Sequence, residues 1–476
     1  MTHIFHPSII RAYDIRGIYN QTLDDRDAFC VGKSFASFLQ KNGKKKISVA
    51  CDGRISSPNL KAQLINGLVE SGMEVFDVGV GPTPMLYFSV YHLGLDAGIM
   101  VTGSHNPKDH NGFKMMLKER PFFGDDIANL AKIAEKGDFV EAAGSLEGVD
   151  IETDYVERIL ADCVISESES PLVDDLDNFT PKKELKIAWD AGNGAAGEIM
   201  QQLSKRISAE HILLFEEIDG TFPNHHPDPT VPKNLKDLIE AVNDGGCDLG
   251  IAFDGDGDRI GVVDDEGEII WGDQLMVLYA REILNERPGA TIIADVKASN
   301  VLFDEVNKAG GKALMWKTGH SLIKSKMKET KAVLAGEMSG HIFFADRYYG
   351  FDDALYAAIR IINIVQKSPK KLSQLRKELP KTFSTPEIRI ECADEKKFKI
   401  IENLKNNFRG LKKEFNDIDG LRVTSKEGWW LLRASNTQAA LVARCEAKSS
   451  SDLEILKKDL RSNLEFCDLK SPAELA

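Results

Sequence analysis

Three carboxylates alternating with glycines, Asp254-Gly-Asp256-Gly-Asp258, followed at once by Arg259, make the segment of this chain most specific for chemistry. Glycine between the acids lets three hard oxygen ligands converge on one divalent cation without side-chain crowding. A calcium EF-hand loop is the natural rival, but it needs glycine at its sixth position and glutamate at its twelfth, where this chain has Arg259 and Asp265. An apolar run precedes the acids where an EF-hand has a helix. Magnesium is expected ahead of calcium, because three carboxylates leave room for a phosphate oxygen and waters.

Other polar loops could work beside this one. Thr102-Gly103-Ser104-His105-Asn106-Pro107 presents a hydroxyl between a glycine and a His-Asn-Pro turn, although a lone serine beside a histidine is more often a plain polar turn. Gly336-Glu337-Met338-Ser339-Gly340-His341 offers a carboxylate, a hydroxyl and an imidazole suited to a vicinal diol, yet taken alone reads as a glycine-rich turn. Arg433-Ala434-Ser435-Asn436-Thr437, with Arg444 after it, is a good dianion cradle or, equally, a capped surface loop. Arg11-Ala-Tyr13-Asp14-Ile-Arg16-Gly17 and Asn111-Gly112-Phe113-Lys114 supply further cations that individually could be ordinary surface charges.

The elements that must carry these loops repeat. Ile47–Asp52, Leu185–Asp190 and Thr291–Asp295 are short apolar runs ending in aspartate, which suit buried strands of a parallel sheet. Ser56-Ser57-Pro58 ahead of Leu60, Leu64 and Leu68 predicts a capped helix start after the first of them. A second apolar run follows in each segment, beginning at Gly98, Leu249 and Val333, and leads directly into one of the first three loops. Strand-to-helix loops at the carboxyl ends of strands are where open α/β sheets place ligands, so three such units facing one cleft would bring the loops together. The last hundred or so residues differ. Pro386–Glu391, Leu421–Val423 and Ala440–Arg444 read as strands, and a capping box of Ser451 and Glu454 opens a helix bearing Leu453, Leu456, Leu460 and Leu464.

The 476 residues are 42% hydrophobic and 28% charged, enough apolar material for several cores. Lysine plus arginine number 60 against 74 acids, and the resulting net charge of −14 argues against a nucleic-acid or anionic-membrane binder. The opening residues lack a basic segment before a long apolar run, and no stretch approaches the ~20 apolar residues of a membrane span, so a cytoplasmic location is expected. Seven scattered cysteines without a Cys-x-x-Cys pair suggest free thiols, not disulfides or zinc. The acidic stretch from Ser166 to Asp177 reads as a solvated loop and is given no function.

These motifs, together with Lys317-Thr-Gly-His320, stand in the order found in the α-D-phosphohexomutase superfamily, and the chain resembles its bacterial phosphomannomutase/phosphoglucomutase group over nearly its whole length. The resemblance implies an α/β protein of four domains around a central cleft: three related α/β units at 1–151, 152–267 and 268–379, and a C-terminal α+β phosphate-binding domain at 380–476. It implies that Ser104 carries a phosphoryl group and that Asp254, Asp256 and Asp258, with Ser104, hold magnesium. Arg16, His105, Lys114, Arg259 and His320 would serve the transfer. Glu337, Ser339, His341 and Tyr13 would meet the sugar, and Lys297, Arg433, Ser435, Asn436, Thr437 and Arg444 the phosphate that stays.

The implied reaction interconverts hexose 1- and 6-phosphates of mannose and glucose through a hexose 1,6-bisphosphate, with glucose 1,6-bisphosphate as activator, in a monomer or weak dimer. The Arg-Ala-Ser-Asn-Thr loop departs from the pattern of glucosamine phosphate mutases, which remain the nearest alternative enzyme. A metal-dependent phosphatase and a non-catalytic sugar-phosphate or calcium-binding protein are the other readings.

Overall fold

The computed structural model describes residues 1–166, 184–436 and 438–475. Thr437 and most of the acidic stretch expected to be a loop lie outside the described residues.

Three sheets share one plan. In the first, Lys46–Cys51 lies between Glu74–Val80 and Ala97–Val101, parallel to both, and His110–Leu117 returns antiparallel beside Ala97–Val101. The second has Leu185–Asp190 between Ala209–Leu214 and Leu249–Phe253, with Ile260–Asp264 returning. The third sets Thr291–Asp295 between Lys312–Trp316 and Leu334–Gly336, with Ile342–Phe344 returning. The expected repetition therefore holds at the level of strand order, and each first run does feed a helix: Ser57–Val69, Gly197–Arg206 and Asn300–Lys308.

The loops themselves differ from expectation. Each follows the carboxyl end of a parallel strand, but it leads into an antiparallel strand and not into a helix. The residues that follow, such as Ile260-Gly-Val-Val-Asp264 and Ile342-Phe-Phe344, are wholly buried and rich in β-formers, so a ladder wins over a helix. A loop pinned by paired strands on both sides is better fixed than one at a helix start. Ile15–Ile18 adds an edge strand beside His110–Leu117, with Arg16 opposite Gly112. This places the Arg11–Gly17 segment next to the serine loop.

One apolar cluster runs continuously from the first unit through the second and third, centred on helix Ala354–Lys367, which is buried along nearly its whole length. Its Asp353 N-cap accepts from the Tyr356 amide. The fourth domain has its own cluster around Trp430, Leu432, Leu441 and Leu460. There, Gly428–Ala434 is the strand between Leu421–Thr424 and Ala440–Ala447, and Ile388–Glu391 pairs on the far side of the last. Sequence reading missed Gly428–Ala434 because Trp-Trp-Leu-Leu does not alternate. Trp430 and Leu432 face the domain core, while Trp429 and Leu431 pack on Val296 of the third unit, so both faces are buried.

Two caps also fall elsewhere. Helix Ser450–Phe466 is capped by Ser449, whose hydroxyl accepts from the Asp452 amide, in place of the expected Ser451. Ser56 makes no capping bond, because its hydroxyl and that of Ser57 both accept from Asn111. All seven cysteines are free thiols, five of them buried. Among the described residues no helix is long and apolar enough to cross a membrane.

Candidate active site

The serine, acidic and sugar loops meet on one cleft of about 1080 Å³, closed on its far side by the fourth domain. Ser104, His105, Lys114, Arg16, Arg259, His320, Tyr13, Lys297, Glu337, Ser339, His341, Arg433, Ser435, Asn436 and Arg444 all line it. Thus every sequence-selected residue that the structure describes reaches the cleft wall, apart from the three aspartates, which lie buried just beneath it.

Ser104 sits at the floor with φ +49°, a left-handed conformation that costs a non-glycine residue about 1–2 kcal/mol and must be held by its surroundings. Its Oγ donates to Asp254 Oδ2 at 2.9 Å and lies 3.1 Å from His105 Nδ1. Asp254, Asp256 and Asp258 bring ligand oxygens within 4.8 Å of one another. Lys114, expected to serve the transfer, is buried between them, 2.7 Å from Asp256 and 2.5 Å from Asp258. Thr83 and Thr102 hydroxyls also donate to Asp256. The remaining oxygens Asp256 Oδ1 and Asp258 Oδ1 are buried without a hydrogen-bond partner, with His341 Nδ1 3.5 Å from the second. Buried carboxylate oxygens left unpaired are costly, so the trio fits a divalent cation.

Cations surround this floor. Arg16 donates to Asp14 at 2.6 Å, and the Arg259 amide donates to Asp254 Oδ1. Arg259 Nε donates to His341 Nε2 at 3.0 Å, which puts the ring proton of His341 on Nδ1. That Nδ1 faces Asp352 Oδ2 at 3.1 Å. Asp352 also holds Lys324 at 2.9 Å and lies 3.7 Å from His320. Sequence reasoning missed both Asp352 and Lys324; neither belongs to a contiguous motif. Burial pulls His105 and His320 well below the usual imidazole range, and neighbouring Arg259 and Lys324 respectively add to it. Both rings are neutral near pH 7 and able to accept a proton.

The far side carries three cationic side chains and several hydrogen-bonding ones, a set able to take an anion and hydroxyl groups. Arg433 is oriented by Asp419 through Nε at 2.9 Å, and Ser435 Oγ accepts from the Gln438 amide. Arg444 donates to the Lys297 carbonyl at 2.5 Å, while Lys297 pairs with Glu387 at 2.9 Å. Lys297 pulls the Glu387 carboxyl down to about 2. Glu337 is fixed by the Gly319 amide, which donates to Oε1 at 2.6 Å. Ser339 lies on the wall beside it. Tyr13 joins the two sides: its hydroxyl donates to the Thr318 carbonyl at 2.9 Å and accepts from Asn436 at 2.6 Å.

Known proteins share the domain order of this chain. The chain matches the models of phosphoglucomutase/phosphomannomutase alpha/beta/alpha domain I over residues 7–141, domain II over 169–267, domain III over 271–383 and the C-terminal domain over 387–462. It is 45% identical to a phosphomannomutase/phosphoglucomutase of Pseudomonas putida over 96% of this chain and 95% of that one. A phosphoglucomutase of Neisseria meningitidis serogroup A is 43% identical over 96% of each. A crystal structure of a phosphoglucomutase/phosphomannomutase family protein from Burkholderia thailandensis superposes with a TM-score of 0.89 at 42% identity over 99% of both chains. The chain belongs to the phosphoglucomutase/phosphomannomutase family of α-D-phosphohexomutases and is a mutase of four domains.

Proposed function

We propose that this enzyme interconverts the 1- and 6-phosphates of mannose and glucose, with Ser104 as the phosphoryl carrier and domain edges at 151/152, 267/268 and 379/380. The observation that carries the reading is Ser104 Oγ bonded to Asp254 on the floor of a cleft whose opposite wall carries Arg433, Arg444 and Lys297. A substrate with phosphate at one end and a hydroxyl at the other spans such a site naturally.

Asp254, Asp256 and Asp258 would hold magnesium, with phosphorylated Ser104 supplying an oxygen. When bound, the cation supplies electrostatic stabilisation for charge on the moving phosphoryl group. Arg16, Lys114 and Arg259 add fixed positive charge around the same group, so catalysis is chiefly positioning and electrostatics. The bond between phosphorus and Ser104 Oγ breaks as one forms to the free sugar hydroxyl, whose proton passes to a cleft imidazole. His105 and His320 are the candidate acceptors, because His341 already accepts from Arg259 through Nε2 and turns Nδ1 to Asp352. Glu337 and Ser339 read sugar hydroxyls, and Arg433, Ser435, Asn436, Thr437, Lys297 and Arg444 grip the phosphate not in transfer.

The bisphosphate must then turn end for end before its other phosphate returns to Ser104. Glucose 1,6-bisphosphate would act as activator by phosphorylating the resting serine. The readings of monomer or weak dimer and of cytoplasmic location belong to the same proposal.

The decisive assay follows conversion of mannose 1-phosphate and glucose 1-phosphate to 6-phosphates, with magnesium and trace glucose 1,6-bisphosphate, in wild type and Ser104→Ala. Both sugars should turn over, and the variant should lose at least about 10⁴-fold. Inactivity on both with turnover of glucosamine 1-phosphate would replace the substrate. Stoichiometric phosphate release would identify a phosphatase, and a fully active variant would remove Ser104 from the mechanism.

A further inference from the structure

The geometry points to Arg54 as the residue that sets the conformation of the Ser104 loop, with Asp52 orienting it: a positioning pair for phosphoryl transfer that lies just after the Lys46–Cys51 strand, outside the polar loops described above. Arg54 and Asp52 are 1% and 2% exposed. All five N–H donors of Arg54 are engaged. Nη2 donates to the carbonyls of Ser104 and Asn106, each at 2.6 Å. Nη1 donates to those of Pro107 and His110, and Nε to Asp52 Oδ2. One planar fork thus gathers four carbonyls that span the whole loop, a task that lysine, with three donors at one point, cannot repeat.

Asp52 ties the start of the loop to the same fork. Its Oδ2 accepts from the Gly103 amide at 3.0 Å, and its Oδ1 accepts from the Ser57 hydroxyl at 2.5 Å. The approach is so close that a Cβ on Gly103 would stand 2.4 Å from Arg54 Nε. The second domain completes the enclosure, with the Phe222 ring 5.1 Å from the guanidinium carbon. A Cβ on Gly220 would stand 2.6 Å from Arg54 Cα. The domain that carries the acidic loop therefore also packs on the residue that shapes the serine loop.

The strain at Ser104 explains why such a clamp is needed. A non-glycine residue at φ +49° relaxes unless its peptide is held, and the Ser104 carbonyl is held by Arg54. Release would turn Oγ away from Asp254. A displacement of about 1 Å of a reacting group is enough for a loss on the order of 10²-fold in rate. The hexose phosphate, gripped from the fourth domain, would still bind.

The inference rests on Ser104 being the phosphoryl carrier, and the test separates the two. Wild type, Arg54→Lys and Ser57→Ala are incubated with glucose 1,6-bisphosphate, and phosphoryl gain is followed by intact mass. The kcat and KM for glucose 1-phosphate and the thermal midpoint are measured in parallel. Arg54→Lys should lower kcat by about 100-fold and slow serine phosphorylation in step, with KM within about threefold. Ser57→Ala, which removes one hydroxyl and keeps the fork, should lower kcat several-fold at unchanged KM, and it decides the matter if Arg54→Lys does not fold. Wild type that gains no phosphoryl group overturns the Ser104 reading. Wild type that gains one, beside a folded Arg54→Lys with kcat within about threefold of it, overturns the positioning role. So does a fully active Ser57→Ala should the lysine variant not fold.

Discussion

Around Ser104 the polar groups come from three units joined by one apolar cluster, beside which the first has a cluster of its own, and they hold one another. Lys114 of the first unit lies between two aspartates of the second, and Arg259 of the second donates to His341 of the third. At the other end of the cleft, Arg433 lies near the end of a strand, and Ser435 and Asn436 just after it, in a domain with a separate core. That domain meets the rest through a small apolar patch at Val296 and through polar contacts such as Lys297–Glu387 and Arg444 to the Lys297 carbonyl. The contrast separates two demands. Bond making and breaking needs atoms fixed to a fraction of an ångström, and an apolar cluster that joins three units serves that need. A grip that must accept phosphate at either end of a turning intermediate gains from a domain free to adjust.

The sharpest test of the first half removes the cation from the shared floor. Lys114→Met should lower kcat by roughly 10²–10³-fold while KM for glucose 1-phosphate stays within about threefold. Without added metal, the variant leaves Asp256 and Asp258 buried without their contacting cation, a situation that costs about 3–5 kcal/mol when one partner of a buried pair is removed. Its thermal midpoint should fall accordingly. Saturating magnesium should restore much of the midpoint and little of kcat. Recovery of both together would mean that Lys114 is a structural counter-ion only, and the proposed division of labour would lose its main support.

Arg433→Lys tests the second half and should give the mirror image. The lysine keeps the charge but loses the fork and the Nε bond to Asp419. Charge-assisted hydrogen bonds contribute about 1.5–3 kcal/mol each, so KM should rise by roughly 10–100-fold for both mannose and glucose 1-phosphates, with kcat nearly unchanged. A loss confined to kcat would show that the two ends are not separable in this way.

The motifs at both ends were legible in the sequence because each is a contiguous loop at the end of an apolar strand. The Asp254 trio is noticed from its own neighbours, whereas Ser104, Glu337 and Arg433 read as ordinary turns until their loops are taken together in the family's order. What holds them was not legible. Asp352 lies eleven residues beyond His341 in an aromatic stretch without polar spacing, and Asp419 reaches Arg433 across a strand pair. Lys114 was named through the family resemblance, but its seat between two carboxylates of the second unit was not. The repeated units were visible as apolar runs, yet the antiparallel return strands were not, since fully buried strands lose the alternation that marks a strand from outside. The C-terminal strand Gly428–Ala434 was lost for the same reason.

Tyr13 belongs to neither end, and for that reason it sharpens the comparison most finely. Its ring is nearly buried, while its hydroxyl spans the gap, donating to the Thr318 carbonyl of the third unit and accepting from Asn436 of the fourth domain. Tyr13→Phe keeps the ring and removes only that bridge. A single hydrogen bond contributes about 0.5–1.5 kcal/mol net, so the change should be small: KM up by roughly twofold to tenfold for either hexose 1-phosphate, with kcat held. The kcat should hold because the floor around Ser104 makes no use of the phenol. The KM should move because the closed position of the fourth domain is stabilised partly through Asn436. An unchanged KM would mean that the grip closes on the phosphate by its own contacts alone, with Tyr13 serving as a passive wall. A fall in kcat without a change in KM would carry a different lesson, that closing of the fourth domain and alignment at Ser104 are coupled through the Thr318 turn.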